Sequence, residues 1–216
     1  MYGLFIAIGV FSAIIFSERI VKARGLNVEV FWQAVFWTFI AGVVGARLYH
    51  VIDFWEIYRQ NLIFIPQVWY GGLGIFGALL LGLPVLIWFL KKSGEDVWAW
   101  LDVFALPIPF AQAVGRLGNY FNFELMPYAI YEAVANLFLF FVLYLLSKKS
   151  FRGGSIFVAY VAGYSLIRLA LEPLRVGAWA IGGVNVAQAV SVVLLLVSAW
   201  IFMRRRKEGY EKGASE

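Results

Sequence analysis

The chain contains no cysteine, and its 216 residues include a single histidine, His50. The first absence excludes disulfides, thiolate metal sites and a cysteine nucleophile of the protein's own. The second means that any histidine-based metal centre or Ser–His triad would have to use His50. Charge is scarce too: 14% of residues are charged, where a soluble domain carries about a quarter. The chain shows no internal repeat, no low-complexity segment and no linker long enough to separate two domains. The lack of an inverted repeat weighs against a small transporter of that design.

What fills the chain is apolar. Hydrophobic residues make up 62% and aromatic residues 19%, with nine tryptophans, and the mean hydropathy is +0.81. Rings in that number suit side chains that sit at membrane interfaces. Stretches long enough to span lie near residues 2–16, 30–51, 71–90, 97–114, 128–146, 155–171 and 184–203. A span needs ~20 residues. The first, at about 15 residues or roughly 22 Å, is short. It has no basic segment before it and no small-residue cleavage site, so it reads as a retained helix, not a signal peptide. The expected fold is an all-α polytopic membrane protein with seven transmembrane helices. It forms one domain over residues 1–203, followed by a charged, mobile tail over 204–216.

Lysine and arginine placement sets the orientation. Arg19, Lys22 and Arg24 follow the first stretch, and Lys91 and Lys92 the third. Lys148, Lys149 and Arg152 follow the fifth, and Arg204, Arg205, Arg206, Lys207 and Lys212 the seventh. These thirteen of the eighteen cations fall on one side, which the positive-inside rule makes cytoplasmic. The N-terminus is then outside and the C-terminus inside. The net charge of +5 thus reflects topology and does not point to nucleic acid.

The remaining cations are Arg47, Arg59, Arg116, Arg168 and Arg175, and none is a lysine. Guanidinium groups bind phosphate through a rigid fork and stay charged when partly desolvated. Arginines in the outer half of a bundle therefore suit an anion site, such as a lipid phosphate. The alternative is that some pair with Asp53, Glu56, Glu124 or Glu172 and hold helices together. That alternative is preferred for Arg59.

Arg116 belongs to Gly115-Arg116-Leu117-Gly118-Asn119-Tyr120-Phe121-Asn122-Phe123-Glu124, the stretch around which the rest is organised. Charge in or beside a bilayer core is a functional-site hypothesis by default. The glycines are expected to turn the chain where the helix ends, with Asn119 able to occupy the left-handed region. A helix cap with a polar lip is the plainer reading, although a cap needs neither the arginine nor the glutamate. Tyr164, Arg168, Glu172 and Arg175 share one helical face, and Pro173 marks the end or a kink of that helix. Pro107, Pro109 and Gln112 precede Arg116 in a helix expected to bend, and Asp102 reads as a structural partner. Gly71, Gly74 and Gly77 form a smooth stripe that admits another backbone or a lipid. His50 and Asp53 are three apart and could hydrogen-bond. Pro127 suits a helix start, with Glu132 in about its first turn.

Together these stretches resemble the prolipoprotein diacylglyceryl transferases, the bacterial membrane enzymes of lipoprotein maturation. The strongest likeness is between Gly115–Glu124 and that family's glycine-arginine-x-glycine-asparagine signature. In chain order, Tyr2-Gly3-Leu4, the Gly45-Ala46-Arg47-Leu48-Tyr49 stretch, Trp69 to Gly77, Pro127 with Tyr131-Glu132, Tyr164 to Arg175, and Gln188 with Ser191 complete it. The resemblance implies transfer of the diacylglyceryl group of phosphatidylglycerol onto the lipobox cysteine of a prolipoprotein, in the bacterial cytoplasmic membrane. A thioether forms and glycerol phosphate leaves, without metal or organic cofactor. By the same likeness Arg116 and Arg168 are the essential arginines, with Tyr2, Asn119 and Glu172 nearby. Tyr2, Arg116, Arg168 and Glu172 are thus the catalytic candidates. Arg47, Arg116, Gly118, Asn119, Glu124, Arg168 and Arg175 are the candidates for holding the lipid. The chain departs from many relatives at Phe76, where they carry a histidine, and in the short segment after Glu124. A phosphatidylglycerol-binding relative without turnover is the alternative reading.

Overall fold

The computed structural model describes residues 2–149, 152–175, 177 and 180–213, with side chains for all of these except residues 2, 181 and 206–213. Among the described residues, seven helical stretches are long and apolar enough to cross a membrane: Gly3–Ala23, Val28–Asp53, Ile75–Lys92, Val97–Phe121, Tyr128–Ser147, Ser155–Leu174 and Val186–Arg205. The chain divides into two compact units, one made of Met1–Ile20 with Trp98–Glu216, the other of Val21–Val97.

In the smaller unit, α2 (Val28–Asp53) starts at Asn27, whose Oδ1 accepts from the backbone N–H groups of Glu29 and Val30. A short α3 (Trp55–Tyr58) and two single-turn 3-10 helices lead to α4 (Ile75–Lys92). α2 and α4 pack antiparallel through small residues. A Cβ on Gly45 would overlap the Gly77 carbonyl, and one on Gly77 would overlap that of Gly45. Dispersion and close backbone approach drive such pairs where lipid is as apolar as leucine. The expected stripe is therefore real at Gly74 and Gly77. Gly71 lies outside it, in the loop with φ +87°, because the helix begins four residues later than the sequence suggested.

The larger unit holds most of α1 (Tyr2–Ala23), then α5 (Val97–Ala105), α6 (Ile108–Phe121), α7 (Tyr128–Ser147) and α8 (Ser155–Leu171). A hairpin of β1 (Ala180–Ile181) and β2 (Val184–Asn185) precedes α9 (Val186–Gly213). Four expectations change. The first helix has 22 residues and crosses with ease. The fourth span breaks at Leu106–Pro107 and resumes to Phe121. The seventh helix begins at Val186, after a strand that the apolar pattern had merged with it. The charged segment from Arg204 continues α9 as helix to Gly213.

The break in the fourth span has a local cause. Pro107 has no N–H to donate, which frees the carbonyl four residues earlier. That carbonyl is Val103 O, and the Ser17 hydroxyl, on α1, donates to it at 3.3 Å. Below the break, Asp102 serves the start of α8: Oδ2 accepts from Gly154 N at 2.8 Å and Oδ1 from Phe157 N at 2.7 Å. This buried carboxylate caps a helix start and favours its dipole, in line with its expected structural role. Near that end Arg205 lies over Trp98 and donates to Gly153 O, while Arg152 donates to Arg205 O. Leu106, Leu139, Leu143 and Ile156 form a buried core between α6, α7 and α8.

A candidate active site of arginines braced by buried carboxylates

The site lies in the larger unit, at the ends of α6, α7 and α8 away from Arg152 and Arg205. The signature stretch is helical, not a turn: Gly115, Arg116, Gly118 and Asn119 all sit within the last two turns of α6. The left-handed residues come later, at Phe123 (φ 57°) and Leu125 (φ 54°), where a side chain costs of order 1 kcal/mol. They reverse the chain so tightly that α7 begins at Tyr128. Glu132, in the second turn of α7, thereby faces Arg116.

Arg116 grips that carboxylate with two prongs, Nε to Oε2 at 2.7 Å and Nη2 to Oε1 at 3.2 Å. Its Nη1 donates to Asn119 Oδ1 at 3.1 Å, and Asn119 Nδ2 donates to Glu124 at 3.0 Å. From α8, the Tyr164 hydroxyl donates to Glu132 Oε1 at 3.3 Å. Arg168 lies 3.9 Å from the same oxygen and donates Nη1 to the Tyr128 hydroxyl at 2.7 Å. Its Nη2 meets Glu172 Oε2 at 2.5 Å, and Arg175 reaches Glu172 Oε1 at 3.4 Å. Glu132 and Glu172 are each 1% exposed. Such charges survive in an apolar surround only when paired and hydrogen-bonded.

The arrangement therefore brings together Arg116, Asn119, Glu124, Arg168, Glu172 and Arg175, with Gly118 buried on the same turn of α6. The helix of Arg168 ends where Pro173 opens a 3-10 turn, Glu172–Leu174. Within this cluster the arginines do pair with glutamates, and Arg59 pairs with Glu56 at 2.5 Å on the surface. Three arginines stand against the buried carboxylates of Glu132 and Glu172 and the exposed one of Glu124, which joins the cluster through Asn119. The buried Nε of Arg175 has no hydrogen-bond acceptor among the described residues. Tyr2 falls outside the residues whose side chains are described.

Arg47 belongs to the other compact unit. Its guanidinium donates to four backbone carbonyls: Ile65 (2.7 Å), Phe64 (2.5 Å), Gly71 (2.7 Å) and Gly72 (3.0 Å). The Tyr58 ring lies 5.1 Å away. This pins the loop between α3 and α4. The His50 ring packs on Phe54 and Tyr58, at 4.6 and 5.9 Å between centroids, and not on Asp53. Arg47 and His50 line a cavity of about 340 Å³ with Gln67 and Tyr70.

The model of the family described as prolipoprotein diacylglyceryl transferase matches residues 1–204. The chain belongs to the prolipoprotein diacylglyceryl transferase family. It is a membrane transferase. It is 31% identical to the phosphatidylglycerol–prolipoprotein diacylglyceryl transferase of Geobacillus kaustophilus, over 98% of this chain and 90% of that one. The proteins of the same name from Synechocystis sp. (30%, over 95% and 86%) and Thermosynechococcus vestitus (29%, over 96% and 89%) are similar over comparable lengths.

Against that family, the signature Gly115–Asn119 forms one wall of the cluster and the Tyr164–Arg175 face another. Two members of the cluster were not singled out from the sequence as site residues: Glu132, its central carboxylate, and Tyr128. The signal for Glu132 was present, since it is the one carboxylate inside the apolar run 128–146. An ionisable residue in such a run is a site hypothesis by default.

Proposed function

We propose that this transferase moves the diacylglyceryl group of phosphatidylglycerol onto the lipobox cysteine thiol of prolipoproteins, making a thioether and releasing glycerol phosphate. The observation that carries the reading is the convergence of Arg116, Arg168 and Arg175 in one cluster, where buried carboxylates of Glu132 and Glu172 hold their guanidinium groups. Guanidinium forks held together in this way suit the charged oxygens of a phosphodiester. The carboxylates hold the guanidinium forks in place beforehand, so that little reorganisation is needed when charge builds on the leaving phosphate. Asn119 and Glu124 brace Arg116 from the side, and the free Nε–H of Arg175 is a further donor for the lipid.

The incoming nucleophile is the substrate's own sulfur, which suits a chain without cysteine. A thiol of pKa about 8.5 is only a few per cent ionised at neutral pH, and nearby arginines favour its thiolate. The basic loops face the cytoplasm in this reading. The arginine cluster lies in the outer half of the bacterial cytoplasmic membrane, within reach of a translocated lipobox. Gly118 lies buried on the turn of α6 that carries Asn119, and Arg47 holds the loop of its own unit.

Phe76 supports the second reading, a lipid-binding relative without turnover, because phenylalanine accepts no proton. One experiment separates the two. Purified protein in phosphatidylglycerol micelles is given a peptide with one lipobox cysteine, and mass spectrometry follows the adduct. Thioether from the wild type, reduced at least 100-fold in Arg116→Ala, is expected on the scale of a lost charge-stabilising donor. Bound lipid without adduct would favour the binding relative.

A further inference from the structure

A groove of about 360 Å³ lies between α7, α8 and α9, in the larger unit and at the end away from the arginine cluster. Small side chains open it, Ser155 and Ala162 on α8 and Ser198 and Ala199 on α9, and its walls are almost wholly apolar. It follows residues 155–162 and 195–202, about 10 Å along each helix. Ala199 and Phe202 are exposed, so the groove opens on the outside of the bundle, where lipid chains lie.

Size and charge select the occupant. An apolar wall facing a void loses its dispersion contacts, so the groove favours whatever can fill it. One turn of a helix, 10–12 Å across, takes roughly 400–600 Å³, so a helix of another chain can only lie across the mouth. A single hydrocarbon chain is slim enough to lie inside. The groove also ends in basic residues. Ser155 follows Arg152, Phe202 precedes Arg204 and Arg205, and Leu146, on the α7 wall, precedes Lys148 and Lys149, both exposed. Lys148 stands 4.6 Å over the Tyr144 ring and Arg204 5.5 Å over that of Trp200, as cations do where an apolar body meets a polar rim. Lys148, Lys149 and Arg205 have no carboxylate partner among the described residues. Asp102, the buried carboxylate near this end, is engaged by Gly154 and Phe157.

We propose that this groove is a second lipid site: it holds one acyl chain of an anionic phospholipid, whose headgroup rests among Lys148, Lys149 and Arg205. Basic pockets between membrane helices bind anionic headgroups in this way, and a net negative headgroup is what unpaired cations at the rim distinguish from a zwitterionic one. The lipid is a structural ligand. It fills the seam between α8 and α9 and so steadies α8, the helix that carries Arg168 at its far end.

The test follows melting of the full chain in neutral-detergent micelles as dioleoyl phosphatidylserine or dioleoyl phosphatidylcholine is added. A large excess of phosphatidylserine is expected to raise the wild-type melting temperature by about 5 °C, the scale of a saturated site, and phosphatidylcholine by much less. Ala162→Phe sets a ring in the groove and should lose the gain. Arg116→Ala, at the other end of the bundle, should keep it. A gain that survives Ala162→Phe and vanishes in Arg116→Ala would put the lipid at the arginine cluster, and equal gains from the two lipids would leave the basic rim without a role; either result overturns the proposal. If Ala162→Phe does not fold, the exposed pair Lys148→Gln and Lys149→Gln decides. Native mass spectrometry should then show the preference for phosphatidylserine falling at least tenfold, and an unchanged preference counts against the site. Thioether formation has no part in these readouts, so they stand or fall apart from the function proposed above.

Discussion

At the scale of single residues, Glu132 carries the greatest consequence. It meets Arg116 with both oxygens, stands 3.9 Å from Arg168 and accepts from Tyr164, with almost no solvent contact. Removing one partner of a buried pair leaves the other charged and bare, which costs about 3–5 kcal/mol. Glu132→Gln should therefore lower stability by about 3 kcal/mol in denaturant titrations in micelles, while the exposed pair partner Glu56→Gln should change it by less than about 1 kcal/mol. Combining Glu132→Gln with Arg116→Met should cost less than the sum of the two, because the second change removes the charge that the first stranded. The sequence displayed the five arginines that fall outside the basic loops, and its preference for a structural pairing at Arg59 held. It did not reveal which carboxylate would stand opposite Arg116. The partners are sixteen residues apart, and the link depends on left-handed backbone at Phe123 and Leu125, residues with no glycine to announce it. For Arg47 the residue type was legible and its partners were not, since backbone carbonyls leave no mark in composition.

At the scale of elements, the spans were legible because apolar length is written directly into the chain. Their interruptions were not. The break between α5 and α6 falls inside an unbroken apolar run, and only its prolines hint at it. Two contacts there are open to measurement. Asp102→Ala removes both acceptors at the start of α8 and should destabilise by about 2 kcal/mol, the upper range for a cap; loss of melting temperature in the purified protein reads it. Gly77→Leu, which pushes a side chain into the α2 backbone, should cost about 1–3 kcal/mol through overpacking. Gly42→Ala, on α2 with no atom nearer than 4.0 Å to the added Cβ, should cost less; the contrast between the two melting temperatures tests the packing register. The glycine stripe read from the sequence was thus right in kind and displaced at its start, because Gly71 and Gly72 serve the loop.

At the scale of the whole molecule, the orientation proposed above, with the basic loops in the cytoplasm, sets the loop after α6 and the loop after α7 on opposite sides of the membrane. The absence of cysteine makes this simple to examine. Single cysteines introduced at Phe123, which is 88% exposed, and at Lys149 should divide under a membrane-impermeant maleimide applied to intact cells. Phe123→Cys is expected to label at once, and Lys149→Cys only after the membrane is opened; the reverse pattern would invert the assigned orientation. The identity of the family could be read from the order of motifs along the chain, from Tyr2 to Ser191, because each motif is local. The convergence of two of them on Glu132, which belongs to a third, could not, since it is a property of the fold.

The Ser17 hydroxyl and the Val103 carbonyl have a meaning for how such a chain can change over generations. The proline that strips Val103 of its partner lies ninety positions from the serine that supplies a new one. The dependence runs one way. While Pro107 stands, a mutation at position 17 is felt in the middle of the fourth crossing. Once Pro107 is replaced by a residue with an N–H, the helix can close on itself and position 17 is released to drift. Descendants that lose the proline first can lose the serine without harm, whereas those that lose the serine first must bear an open carbonyl until the proline follows.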